Sequence, residues 1–186
     1  LETRDPMGNT SQTQYDALNR ITQTTDSGSG SIQYQYDANG NLTQYTDPNG
    51  NATQYQYDKM NRLVSRTDPA GKAETLTYDK TGKISQITDR LGQVSGFAYD
   101  GQNRLIQVGY GATTADPTKF EQTLTYTWNA LDQVTKVTDS KASSINWTWN
   151  SYGQLLKEET PQGTVTYTYD SALRGFLFKQ LTIRIP

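Results

Sequence analysis

The 186-residue chain contains no cysteine and no histidine. Disulfides, thiol nucleophiles and Cys/His zinc sites are thereby excluded. Ser-His-Asp and Cys-His catalytic machinery is excluded with them. The lack of Cys does not assign a compartment, because a secreted protein need not use disulfides. Leu, Ile, Val and Phe number only 32, about 17 % of the chain. That lies below the roughly 20 % associated with disorder. The other half of that signature is missing, since 17 basic and 19 acidic residues leave a net charge of −2. The same balance removes the basic footprint that grips nucleic acid. No apolar run approaches the roughly 20 residues that a membrane-spanning helix needs. No signal peptide is visible and the chain opens at Leu1, so it reads as a segment of something longer, with its targeting information elsewhere. What the chain does have is 13 Tyr and 3 Trp.

Those aromatics are periodic. Tyr15-Asp16, Tyr36-Asp37, Tyr57-Asp58, Tyr78-Asp79 and Tyr99-Asp100 follow one another at 21-residue steps. Trp128-Asn129 comes 29 residues later, Trp149-Asn150 after 21 and Tyr169-Asp170 after 20, which makes eight repeats. Six positions after the aromatic sit Ile21, Leu42, Leu63, Ile84, Leu105, Val134 and Leu155. Five positions after it sit Arg20, Arg62, Lys83, Arg104 and Arg174, with Asn41, Gln133 and Gln154 in the other repeats. Eleven positions after it sit Asp26, Asp47, Asp68, Asp89 and Asp139. Two positions before it sit Tyr34, Tyr55, Leu76, Phe97, Tyr126, Trp147 and Tyr167. Ten of the 13 Tyr and all three Trp fall in two of these columns.

Within a repeat the period is two. In Thr53-Gln54-Tyr55-Gln56-Tyr57 the rings share one face and Gln the other, the pattern of a pleated strand. Turn residues bound each run, as in Asn39-Gly40-Asn41 and Asp47-Pro48-Asn49-Gly50. Pro second and Gly fourth fit a type I turn. Each repeat therefore predicts one β-hairpin, and eight repeats predict roughly 16 antiparallel strands. The expected organisation is one repeat domain over 1–174, with a lengthened hairpin loop near 109–119. Residues 175–186 follow no register and are read as a tail or cap.

Tyr36-Asp37-Ala38-Asn39-Gly40-Asn41-Leu42 followed by Thr46-Asp47-Pro48-Asn49-Gly50-Asn51 resembles the YD-repeat, or Rhs (rearrangement hotspot), family. The resemblance spans about residues 4–174. Members include bacterial Rhs polymorphic toxins, insecticidal toxin complex BC components, cell-wall-associated proteins and teneurins. It implies an all-β fold, a hairpin strip wound into a curved, spiralling antiparallel sheet that is part of a hollow shell. In bacterial toxins that shell encloses a C-terminal toxin domain, and an Asp-based self-cleavage segment frees it. No counterpart of that segment occurs here, and the Asp-Pro-x-Gly quartets at 5–8, 47–50 and 68–71 are ordinary repeat turns. No catalytic residue carries over. Eight repeats are also fewer than a closed shell needs.

The columns take structural readings. Tyr15, Tyr36, Tyr57, Tyr78, Tyr99, Trp128, Trp149 and Tyr169 are read as ring ladders between hairpins. The Asp residues are read as turn caps, since each turn offers one carboxylate and calcium needs six to eight oxygens. The basic column is placed at the turn rim, pairing with the repeat Asp residues or facing water, with a stripe for an acidic polysaccharide or acidic cargo as the functional alternative. A carboxylate pair for glycoside hydrolysis finds no convergent candidates in Glu121, Glu158 and Glu159. No metal or cofactor is implied. The expected function is a non-enzymatic scaffold in a larger bacterial protein, secreted, surface-bound or delivered by a secretion system. Its partners would be the rest of the shell and the enclosed domain, with self-association through free sheet edges. The alternative is a carbohydrate- or cell-surface-binding module. Tyr45, Tyr110 and Tyr152 lie outside the columns and are its candidate ligand contacts.

Overall fold

Period-two runs of Thr, Gln, Tyr and Val bury one face and wet the other only as strands. A computed structural model, which describes residues 1–170 and 175–176, shows strands as the only regular elements among those residues. The chain divides into two compact units, Leu1–Gly92 and Gln93–Pro186. The first holds β1 (Glu2–Arg4), β2 (Thr10–Tyr15), β3 (Ile21–Asp26), β4 (Gly30–Tyr36), β5 (Leu42–Thr46), β6 (Ala52–Tyr57), β7 (Leu63–Thr67), β8 (Ala73–Tyr78) and β9 (Ile84–Thr88). The second holds β10 (Gln93–Tyr99), β11 (Leu105–Thr113), β12 (Gln122–Trp128), β13 (Val134–Asp139), β14 (Ser144–Trp149), β15 (Leu155–Thr160) and β16 (Gly163–Thr166). A short pair, β17 (Thr168–Tyr169) and β18 (Gly175–Phe176), follows. In each unit successive strands pair antiparallel in chain order, the connectivity of a hairpin meander.

The register explains the columns. The repeat aromatic faces the residue six positions later in every hairpin: Tyr36 pairs with Leu42, Tyr57 with Leu63, Trp149 with Leu155. A bulge beside the aromatic accompanies this pairing, as between Gln56 and Tyr57, and brings both apolar residues to one face. The last hairpin keeps the same slot, with Tyr169 opposite Gly175. The tail assigned to 175–186 otherwise lies outside the described residues, as does Arg174.

The turns are built the same way each time. Asp58 Oδ1 accepts from the backbone amides of Met60 and Arg62. The fourth residue after the aromatic turns left-handed, with Asn61 at φ 60° and Gly40 at φ 91°. Asn and Gly tolerate that region where other side chains clash. This is why the position holds only Asn, Gly or Asp among the described repeats.

The two faces differ. Opposite the rings of the first unit lie rows of amides, Gln14–Gln23–Gln33 and Gln35–Gln44–Gln54, directly paired across strands. The ring face is half-buried except at Tyr15 and Ile21, and Gln33, Gln35, Gln54 and Gln56 are exposed. Fully buried apolar side chains among the described residues are confined to the second unit, at Val94, Val108 and Ala112. The long loop builds that spot. β11 runs on to Thr113, which bridges to Asp116, and the chain returns to lay Phe120 over a glycine pair. Gly96 and Gly109 face each other across β10 and β11. A Cβ on either would lie 2.3 Å from the Phe120 ring.

Candidate functional site

Among the described residues no group of three or more His, Cys, Asp and Glu is arranged to hold a metal ion. What recurs instead is a clasp that joins one repeat to the next within a unit, seen at Arg20, Arg62 and Arg104. It starts at the Asp of Tyr-Asp. Arg62 Nε donates to Asp58 Oδ2 at 2.8 Å, and Arg20 and Arg104 do the same to Asp16 and Asp100. These ion pairs are partly covered. The guanidinium is thereby held over the aromatic of the following repeat. Arg62 lies 4.2 Å from the Tyr78 ring centroid, Arg20 4.6 Å from Tyr36 and Arg104 5.7 Å from Trp128. Such contacts stabilise by about 0.5–1 kcal/mol where exposed and more where desolvated. Arg20 and Arg104 also donate to the backbone carbonyls of Asp37 and Asn129 in the next repeat.

The aromatic reaches back. Tyr78 Oη donates to the Leu63 carbonyl at 2.6 Å, Trp128 Nε1 to Leu105, Trp149 Nε1 to Val134 and Tyr169 Oη to Leu155. Each acceptor is the apolar residue six positions after the preceding aromatic. Where Trp-Asn replaces Tyr-Asp, the charged pair becomes an amide pair. Asn129 Nδ2 donates to Gln133 Oε1 at 2.9 Å and Asn150 Nδ2 to Gln154 Oε1 at 2.7 Å. Gln133 then bridges to the Gly153 carbonyl of the next repeat.

Hydrogen bonds set the electrostatics of the carboxylates. The backbone amide of Arg62, then its side chain, holds Asp58 below the usual carboxylate range. The Asn41 side-chain amide, then its backbone, does the same for Asp37. Burial, then the nearby Tyr55, pushes the Tyr57 phenol up.

Of the three tyrosines outside the columns, Tyr45 belongs to the first unit and Tyr110 and Tyr152 to the second. Tyr45 pairs with Tyr34 across β4 and β5, ring edge to face with centroids 5.7 Å apart. Tyr110 lies on β11 and is 42 % exposed, and Tyr152 stands on the β14–β15 turn at 78 %. These last two belong to one unit but are separated by several strands, each spacing about 4.8 Å. Sequence reasoning missed Phe120. Its signal was the pair of glycines inside strands β10 and β11, since glycine there marks a close approach. Beside Phe120 the loop forms a shallow recess of about 230 Å³ lined by Gly111, Thr113, Asp116, Lys119 and Glu121.

Comparison with known proteins agrees with this architecture. No curated protein matches the chain in sequence. In structure it is similar to the Tc holotoxin pore of Photorhabdus luminescens carrying a TccC3 mutation, with a TM-score of 0.67 and 16 % identity over 90 % of this chain. It is similar to TcdB2-TccC3 without the hypervariable C-terminal region, with a TM-score of 0.66 and 16 % identity over 87 % of this chain. The chain spans only 11 % of the length of either structure. At that identity the likeness is one of fold. The RHS Repeat family model matches residues 1–32, 36–73 and 78–115, and the chain belongs to that family.

Proposed function

We propose that this chain is a non-catalytic wall segment of an Rhs-repeat shell, enclosing or presenting a toxin or effector domain within a larger secreted bacterial protein. The observation that carries this reading is the clasp. Its aromatic, its basic or amide residue and its Asp or Asn contact their own turn or the adjacent repeat, so the recurring residues build a wall. The partners are the remaining shell repeats and the enclosed domain. Residues 1–174 form the repeat domain and 175–186 its tail or cap. The aromatic column from Tyr15 to Tyr169 is its structural ladder.

The test uses the longer polypeptide containing this segment. Its downstream domain should resist limited proteolysis, and Trp149→Ala should expose it while Trp149→Phe leaves it protected. A downstream domain cut equally fast in all three proteins overturns the enclosing role. The exposure of Tyr152 and Tyr110 favours a second reading, contact with a polysaccharide. Titration against neutral and acidic glycans, with binding lost in Tyr152→Ala or Tyr110→Ala, would support it.

A further inference from the structure

The insertion between β11 and β12 builds an aromatic platform outside the repeat columns. A Cβ on Gly109 would lie 2.3, 2.4 and 2.6 Å from Cγ, Cδ2 and Cδ1 of Phe120. A point that close to all three atoms sits beneath the face of the ring, not at its edge. A Cβ on Gly96 would lie 2.3 Å from Cζ, at the far end of the same ring. Phe120 is therefore laid along the glycine pair, one face on the strands and the other turned away from them. Glycine at both positions permits this close approach. The residue is only half-buried, so part of the ring stays open to solvent.

The margin of the ring is polar. Asp116, Glu121, Thr113 and Lys119 border the recess of about 230 Å³ beside it. Asp116 Oδ1 accepts from the Thr118 hydroxyl at 3.1 Å, which leaves the carboxylate lone pairs to spare. Glu121 Oε2 lies 3.8 Å from Lys141 Nζ, with both side chains exposed. Two carboxylates and two ammonium groups balance, so the recess favours neither an acidic polymer nor a cation. Its volume is below that of sites for drug-sized ligands and admits about one ring. The occupant that fits has an apolar face to lie on Phe120 and hydroxyls at its edge. A neutral sugar has both, since its ring presents C–H groups on its faces and hydroxyls around its rim.

We propose that this recess is a subsite for one residue of a neutral polysaccharide. Phe120 is the stacking platform, and the Asp116 and Glu121 carboxylates accept from the sugar hydroxyls. The ligand class is that of the glycan reading, but the aromatic contact is Phe120. Tyr110 and Tyr152 do not line the recess. The site does not depend on the wall-segment reading, because a wall that encloses nothing would still carry it.

Saturation-transfer NMR on this chain tests the site, with tetrasaccharides of glucose, mannose and galactose as neutral probes and tetragalacturonate as the acidic one. At least one neutral probe should receive saturation, concentrated on the C–H protons of one ring face. Phe120→Leu keeps an apolar cover on the glycines without a planar ring, and should weaken that binding about tenfold, the scale of one aromatic stacking contact. Glu121→Ala leaves the ring in place and should weaken it about threefold, the scale of one hydrogen bond. Tyr110→Ala and Tyr152→Ala should bind as the parent does. No transfer to any neutral probe overturns the site, as does tighter binding of tetragalacturonate. Unchanged affinity in Phe120→Leu overturns it too. Should Phe120→Leu lose the parent's circular dichroism spectrum, Glu121→Ala decides, and parental affinity there overturns the site. Binding lost in Tyr152→Ala and kept in Phe120→Leu gives the glycan to the turn tyrosine and removes the recess alone. Failure of the protease test removes the enclosing role and leaves the recess standing.

Discussion

Trp149 offers the sharpest measure of how much one repeat depends on the one before it. It ends β14, is half-buried and donates from Nε1 to the Val134 carbonyl at 2.8 Å. A tryptophan buried to this extent removes about 150 Å² from water. At about 25 cal/mol per Å² that stabilises by about 4 kcal/mol, reduced to about 3 kcal/mol by the compactness of the denatured chain. The hydrogen bond adds about 1 kcal/mol. Trp149→Ala should therefore cost about 4 kcal/mol, and Trp149→Phe, which keeps most of the area and loses the donor, about 1–2 kcal/mol. Urea unfolding followed by circular dichroism gives both values. Hydrogen exchange then locates the damage, since in a stacked array each repeat is stabilised mainly by its neighbours. Amides of β14 and β15 should exchange faster while those of β3 to β5 hold. A loss below about 1 kcal/mol for Trp149→Ala would mean that the ring face is solvated, and the ladder argument would fail.

Acid should attack the clasps unevenly. The carboxyls of Asp16, Asp37, Asp58 and Asp79 are held below their ordinary value, so their stabilisation is present above about pH 4 and is lost as pH falls through the folded values. The Asn129 and Asn150 turns do not titrate, so the Arg20 and Arg62 amides should lose exchange protection in acid before those of Gln133 and Gln154. Stability that rises on acidification would contradict this. Asn61 sits at φ 60° and accepts from the Asn41 side chain. Asn61→Ala should cost about 1–2 kcal/mol and Asn61→Gly less, as measured by thermal melting. Gly109→Ala places a Cβ against the Phe120 ring and should cost about 1–3 kcal/mol. In a Phe120→Ala background that penalty should shrink, so a double-mutant cycle that is additive would place Phe120 away from the glycine pair.

What was legible from sequence was whatever repeats. The 21-residue spacing gives the hairpin count, and the turn residues give the turn chemistry, because a left-handed position admits few side chains and an Asx cap needs a short carboxylate or amide. The basic column was placed at the turn rim, where Arg62 now pairs with Asp58. Its reach onto the next ring was not drawn. What the exchange of Asp/Arg for Asn129/Gln133 and Asn150/Gln154 encodes is the pairing within the turn, since both positions become neutral together and the Asn side chain donates to the Gln side chain. Tyr45 stood outside the columns because columns align residues along one chain, whereas its contact with Tyr34 is set by register across two strands. Phe120 was hidden for the same reason in a stronger form. It occurs once and touches two glycines 13 residues apart in sequence. Their pairing depends on a strand that contains the left-handed Gly111. Periodicity reports what every hairpin must do to hold its neighbour. The insertion near 109–119 is also where the fully buried apolar side chains among the described residues gather, because an insertion has no adjacent copy to lean on and must supply its own cover.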